Sequence, residues 1–351
     1  MFALLVILII LGIILEVVSL KRDLTRVEIG CAVSATCTEP GATFGVQTII
    51  TNNSLLPVSY MEIRKVYPLV MEVPENLTLQ RGYDGLHVKF VCRMGGRSRK
   101  NLVMETSIRK RGLHSFRGDS VGFGDFLGFR EVSNRISIRS EIVVYPEKLE
   151  NTDLTEVLGR FIGDITARRY LIRDPILTVG SREYTGREPM KEIHWLQSAH
   201  RGELMVREFD YNRHLCVCVL MSVEGIDPWK DDELDVCCSA ARTICETLVM
   251  AGAVVNFFTN ARLRMRAGRD IWKCEVSPGN TQCLLEGLGR VSAHMSDPLE
   301  KMLVQAIRES DLDAAFIVIL PVGDKRGEKA EKLLRGDTGR EVLIINKGVT
   351  A

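Results

Sequence analysis

The chain has 351 residues, of which 46% are hydrophobic and 26% charged. That is long and apolar enough for two domains with cores of their own, and it excludes intrinsic disorder. Its 46 Lys and Arg against 45 Asp and Glu leave a formal charge of +1, so no net field draws it to nucleic acid and no nucleic-acid partner is expected.

The first twenty residues, MFALLVILIILGIILEVVSL, are apolar apart from Glu16 and Ser19. A helix over Phe2 to Leu20 would reach about 28 Å, close to the thickness of a bilayer core, and residues 1–22 read as a transmembrane anchor. A cleaved signal peptide with its apolar core at Leu4 to Leu15 is the rival reading, but its positive start is missing. The positive charges instead follow the segment, at Lys21, Arg22 and Arg26. The positive-inside rule then predicts a single-pass protein of the cell membrane with the bulk of the chain in the cytoplasm. Ten cysteines without paired CxxC spacing fit that reducing compartment, as small hydrophobes rather than bridges or zinc ligands.

Residues 27–148 show short alternating runs separated by turn residues. The clearest is Ala42 to Thr51, and others lie at Tyr60 to Tyr67, His87 to Arg93, Leu102 to Arg109 and Glu141 to Tyr145. About seven or eight short strands at this spacing predict a β-sandwich of immunoglobulin-like type. Within it, the run Arg109 to Phe129, RKRGLHSFRGDSVGFGDFLGF, has two readings. Lys110, Arg111 and Arg117 would form a basic contact surface with Phe123, Phe126 and Phe129 as anchors, or the glycines mark turns and the phenylalanines a core face. Residues 149–174 change to helical spacing at Leu154, Val157, Leu158, Phe161, Ile162 and Ile165, a helical linker capped by Thr152 or Asp153.

The most distinctive stretch is Arg182 to Tyr211, REYTGREPMKEIHWLQSAHRGELMVREFDY. It places His194 beside Trp195 among many charges and ends in an alternating, strand-like segment at Leu204, Val206 and Phe209. It resembles the signature of the domain of unknown function 58 family, through Arg182, Tyr184, Pro189, Ile193, His194, Trp195, Ser198, Ala199, Gly202, Leu204, Val206 and Arg207. Glu188 keeps a negative charge where the family commonly has Gly-Asp, here Arg187-Glu188, and His200-Arg201 replaces an Arg-Thr pair. Asp125, Phe126, Gly128 and Phe129 resemble the family's segment upstream of that signature. The resemblance implies a von Willebrand factor A-like fold over residues 175–351 and a MoxR-type AAA+ ATPase as partner. It implies no catalytic activity.

After the signature, the order is strand at Leu215 to Ser222, helix at Glu233 to Met250 and strand at Ala253 to Phe258. Helices at Cys283 to Ala293 and Pro298 to Glu309 follow, then a strand at Ala314 to Leu320, a helix at Glu328 to Leu334 and a closing segment, Arg340 to Asn346. This alternation predicts a mainly parallel, doubly wound sheet with helices on both faces. The whole is an α+β multidomain chain: membrane helix, sandwich, then α/β domain.

In such a sheet, ligands bind beyond the carboxyl ends of the strands. Metal-binding von Willebrand factor A domains carry there an aspartate and two alternating serines that hold magnesium. Here the loop reads Met221-Ser222-Val223-Glu224, so if Met221 takes the aspartate's place no ligand survives, and if Ser222 does, Glu224 follows with the charge rearranged. Thr281 and Asp324 are further candidates, but no cofactor is expected. His194 with Glu188 or Glu192 is the basis of an alternative hydrolase reading. Against it, no Walker loop, dinucleotide-binding glycine pattern, HExxH or GxSxG is present. The leading expectation is a membrane-anchored, non-enzymatic scaffold or adaptor, with an uncharacterised hydrolase or an extracytoplasmic adhesion module as alternatives.

Overall fold

The computed structural model describes residues 10, 12, 26–73, 79–124, 131–171, 178–209, 215–229, 231–264, 270–311, 313–336 and 340–346. The expected anchor over residues 1–22 and the segment with Asp125, Phe126, Gly128 and Phe129 lie outside these. Among the described residues, no helix is long and apolar enough to cross a membrane. The chain divides into two compact units, residues Met1–Glu147 with Leu285–Val291, and residues Lys148–Leu284 with Ser292–Ala351.

Among the described residues, the first unit is a β-sandwich of ten strands: β1 (Val27–Val33), β2 (Cys37–Thr38), β3 (Thr43–Asn52), β4 (Val58–Tyr67), β5 (Met71–Glu72), β6 (Leu79–Arg81), β7 (Leu86–Met94), β8 (Ser98–Ile108), β9 (Gly112–Gly124) and β10 (Glu131–Val144). One sheet has the order β1-β3-β8-β5 and the other β2-β10-β9-β4-β7-β6. Period-two alternation sends one side of each strand inward. Phe44, Val46 and Met104 of the first sheet therefore meet Tyr67, Val88, Phe116 and Ile142 of the second. Phe116 makes edge contacts with both Phe44 and Tyr67, at 6.1 and 5.9 Å between centroids. The glycine-rich run expected to turn is instead most of β9, paired with both β10 and β4. Gly124 lies opposite Tyr60, where a Cβ would stand 2.9 Å from the ring, so the glycine makes room for an aromatic neighbour.

In the second unit, α1 (Thr152–Leu171) begins behind Asn151. The Asn151 side chain accepts from the amides of Asp153 and Leu154 at 2.9 and 3.2 Å, taking the capping role expected of Thr152 or Asp153. The strands β11 (Thr178–Glu183) and β12 (Met205–Phe209) pair antiparallel around a helical turn and the short α2 (Trp195–Arg201).

The main sheet holds β13 (Leu215–Met221), β14 (Ala253–Thr259), β16 (Trp272–Val276), β18 (Ala315–Ile319) and β19 (Val342–Ile345), in the order β16-β14-β13-β18-β19. All neighbours are parallel except β14 and β16. The strands β13 and β18 are apolar throughout and, apart from the partly buried Leu215 and Cys216, buried, as parallel strands covered on both faces must be. The helices α5 (Leu299–Glu309) and α6 (Gly327–Arg335) pack on the face of Cys218 and Leu220 through Met302, Leu303, Ala306, Ala330 and Leu334. The long α3 (Asp231–Met250) covers the other face with Leu234, Cys238, Ala241, Ile244 and Leu248. The helix expected over Cys283 to Ala293 is shorter, α4 (Gln282–Arg290), and its end becomes β17 (Val291–Met295), which pairs with β15 (Ala261–Leu263).

Candidate functional site

Strand order places the switch point of the main sheet at β13. The chain leaves β13 for β14 on one side and later returns through β18 on the other, so the loops after β13 and β18 diverge and leave a crevice at the carboxyl ends. Three of the four sequence candidates, Ser222, Glu224 and Asp324, meet there. Ser222 is fully buried. Its amide donates to the Ile319 carbonyl at 3.0 Å, and its hydroxyl accepts from the Glu224 amide at 3.2 Å and the Asn260 side chain at 3.3 Å. Asn260, equally buried, also accepts from the Val223 amide and donates to the Asp297 carbonyl, which ties the ends of β13 and β14 together.

The carboxylates converge on one cation. Arg326 Nε donates to both oxygens of Asp324 at 2.9 and 3.0 Å, Nη2 reaches Asp324 Oδ2 at 2.8 Å and the Glu224 carbonyl at 2.6 Å, and Nη1 pairs with Glu224 Oε1. The other Glu224 oxygen accepts from the Leu299 amide at the start of α5, 2.8 Å away, where the helix dipole favours an anion. Burial opposes ionisation of Asp324, but hydrogen bonds from Arg326 overcome it and hold the carboxyl below its ordinary range. Arg326 is raised in turn, chiefly by its hydrogen bond to Asp324. An open cavity of about 760 Å³ adjoins this cluster, lined by Val322, Gly323, Asp324, Lys325 and Asn346 among others.

This donor set does not fit magnesium. A divalent ion needs free, hard oxygen ligands, whereas the guanidinium already satisfies the two carboxylates, and the serine hydroxyl is engaged by protein donors. Among the described residues, no group of three or more His, Cys, Asp or Glu side chains is arranged to hold a metal. Thr281 takes no part in the cluster. It follows β16, which runs antiparallel to β14 and pairs Val276 with Val255 and Trp272 with Thr259. The turn before Thr281 therefore leaves the sheet at the amino ends of the parallel strands, about 13 Å along β14 from the Asn260 end. The sequence reading overlooked Asn260 and Arg326. Asn260 has a local signal, an amide directly after an apolar strand, but Arg326 is masked by the surrounding charges of Asp324-Lys325-Arg326-Gly327-Glu328-Lys329.

The signature residues divide into two sets. One set builds the β11–β12 hairpin. His194 precedes α2, its Nδ1 accepts from the Gln197 amide at 3.2 Å, and its own amide donates to the Met205 carbonyl at 2.8 Å. It is a helix cap. Buried Ser198 donates to the His194 carbonyl and accepts from the Met205 amide. Gly202 ends α2 at φ 73°, which favours glycine. Ile193 bridges to Val206, and both are buried. Arg182 pairs with Glu188 at 2.7 Å. Glu188 is pulled down to about 2, first by the Thr185 hydroxyl and then by Arg182, so it is not poised as a base. Tyr184 is half-buried and donates its amide to the Leu204 carbonyl.

The other set faces solvent. Trp195 is 57% exposed, and in the same stretch of chain Leu196 is 71%, Met190 70% and Leu204 46% exposed. Pro189, Ala199 and Arg207 are exposed as well.

No family model matches the chain, and no curated protein matches it. Solved structures do. A cohesin module from a Clostridium perfringens family 33 glycoside hydrolase matches at 14% identity and TM-score 0.28, over 34% of this chain and 96% of that one. A non-cellulosomal cohesin from Archaeoglobus fulgidus matches at 16% and 0.25, over 34% and 91%. A CARDB domain from Pyrococcus furiosus matches at 10% and 0.24, over 35% and 97%. Scores this low carry no argument about function.

Proposed function

We propose that this chain is a membrane-anchored, non-enzymatic scaffold or adaptor of the domain of unknown function 58 kind, with an immunoglobulin-like sandwich and a von Willebrand factor A-like second unit. It works with a MoxR-type AAA+ ATPase in assembling or maturing a protein complex, from the cytoplasmic side of the cell membrane. The observation that carries this reading is the outward set of the signature. Trp195 and Leu204 of the signature, with Met190 and Leu196 near them in sequence, are exposed in one short stretch that His194, Ser198 and Gly202 hold in shape. Exposed tryptophan with aliphatic neighbours and a polar rim is the composition of a protein-binding centre. The catalytic alternative has no comparable support, since His194 caps a helix and Glu188 is held ionised by Arg182 and Thr185.

The test is affinity capture of the full tagged chain from its native membranes, in ATP and in ADP, with bound proteins identified by mass spectrometry. Nucleotide-dependent recovery of a MoxR-type ATPase that is lost in the Trp195→Ala, Leu196→Ala double variant is the expected result. A capture in which that variant recovers the same proteins as wild type would remove the signature surface from the account. Recovery of no ATPase in either nucleotide would remove the partner. Protease protection of the second unit in intact cells would overturn the cytoplasmic placement.

A further inference from the structure

Lys65 occupies a position that strand alternation reserves for an apolar side chain. It lies on the inward side of β4 between Ile63 and Tyr67, and only 1% of it is exposed. Its Nζ donates to Thr48 Oγ1 at 2.6 Å, and no carboxylate among the described residues pairs with it. Thr48, also buried, stands directly opposite Cys31 in the β1–β3 ladder. Side chains of such a pair share a face, with Cβ atoms about 4.5–5.5 Å apart, so the Cys31 sulfur lies beside the Lys65 amine. The two groups are close enough to interact electrostatically. The cluster thus joins a strand of each sheet: Cys31 from one, Lys65 from the other.

The two groups have complementary chemistry. Burial pushes the Lys65 amine down, against the opposing influence of Cys31, which enlarges the fraction carrying a free lone pair. Cys31 is only partly buried, unlike Cys92 elsewhere in the sandwich, so a small oxidant can reach it.

We propose that Cys31 and Lys65 form a reversible sulfur–nitrogen cross-link between the two sheets when the protein meets a peroxide. The Cys31 thiolate attacks one oxygen of hydrogen peroxide, the O–O bond breaks, and a first water leaves with the thiol proton, giving the sulfenic acid. The Lys65 lone pair then attacks that sulfur. The S–N bond forms, the S–O bond breaks, and the hydroxyl departs with one amine proton as a second water. Sulfur loses two electrons and peroxide gains them. A thiol reductant reverses the step. Because Lys65 is next to Cys31 and shielded from water, the sulfenic acid is captured before a second oxidation.

The test is peptide mass spectrometry on the full chain after graded hydrogen peroxide and quenching with an alkylating agent. The expected product is a pair of peptides joined through Cys31 and Lys65, about 2 Da lighter than their sum. Dithiothreitol should release them, and they should be absent in Cys31→Ser and Lys65→Met. The wild-type measurement decides by itself if either variant fails to fold. Oxidation of Cys31 to sulfinic acid with the Lys65 peptide unmodified would overturn the proposal. So would exclusive pairing of Cys31 with another cysteine.

Discussion

Replacing Arg326 by methionine tests the reading of the crevice at the end of the main sheet. Methionine keeps the apolar stem and removes the guanidinium that holds Asp324 and Glu224. The side chain of Asp324 is only 7% exposed and that of Glu224 27%, while Arg326 itself is 35% exposed. Breaking a fully buried ion pair by removing one partner costs roughly 3–5 kcal/mol. With a cation one-third in solvent that figure must be discounted, to about 2–3 kcal/mol. All three tryptophans, Trp195, Trp229 and Trp272, belong to the second unit, so urea unfolding followed by tryptophan fluorescence reports that unit alone.

Two controls separate this mechanism from a generic loss of packing. The Asp324→Asn change should partly relieve the Arg326→Met defect, because the more buried of the two carboxylates is then neutral. The double-mutant cycle should show a coupling of about 1–2 kcal/mol. The pH dependence has a definite sign. In wild type the Asp324 carboxyl lies below its ordinary value of 3.8, so it stabilises the fold above that value and the contribution fades as pH falls. Without the guanidinium, burial is opposed only by the hydrogen bond from the residue 326 amide, so the carboxyl moves upward and the variant's deficit should shrink as pH falls from neutrality. Millimolar magnesium should not move the wild-type midpoint. A cost under about 0.5 kcal/mol, or an additive cycle, would refute the claim that Arg326 neutralises this site.

Glu62 in the sandwich provides a second titration. Its burial opposes charge, but hydrogen bonds from Lys89, Tyr60 and Arg64 bring it from 4.5 down to about 2. Its stabilising contribution is therefore complete above the ordinary value and lost as pH falls toward about 2. Glu62→Gln should cost roughly 2 kcal/mol near pH 7 and flatten the acid limb of the sandwich's unfolding, followed by circular dichroism. An unchanged acid limb would count against the assignment. Gly96→Ala places a Cβ 2.0 Å from the Leu55 carbonyl oxygen, so the β7–β8 turn must move. A loss of about 2–4 kcal/mol is expected, and a neutral change would show that the turn relaxes freely. Native alkylation should modify exposed Cys283 first and spare Cys218, which burial pushes up to about 12, and fully buried Cys245, pushed up still further. Rapid labelling of Cys245 without unfolding would contradict its place on the buried face of α3.

Much of the fold was legible because burial imposes period. Phe44, Val46, Thr48 and Ile50 alternate inward in β3, and Leu215 to Met221 is continuously apolar, as a strand covered on both faces must be. What failed to read is equally physical. The strand β9 carries four glycines, which normally mark turns, yet the ladder on both sides holds the strand extended. Antiparallel β16 escaped notice because alternation over five residues leaves a short signal, and that omission misplaced Thr281. The orientation of Trp195 could not be read from composition. Capping geometry decides it, since a helix capped by His194, with Ser198 facing inward onto the Met205 backbone, must turn Trp195 and Leu196 outward.

That outward placement separates stability from function. Two of the three tryptophans, Trp195 and Trp229, are 57% and 93% exposed, whereas Trp272 is buried and packs edge-on against Phe257 at 5.7 Å. A side chain already in water contributes little to folding, so Trp195→Ala and Trp229→Ala should each change stability by less than about 0.5 kcal/mol. Trp272→Ala should cost about 3–5 kcal/mol by opening a cavity beside the sheet. If Trp195→Ala destabilised the second unit as Trp272→Ala does, Trp195 would belong to the core and the proposed docking surface would lose its centre. If it leaves stability intact and reduces partner capture, the residue acts in recognition, because a change that spares the fold can alter binding only at the surface it removes.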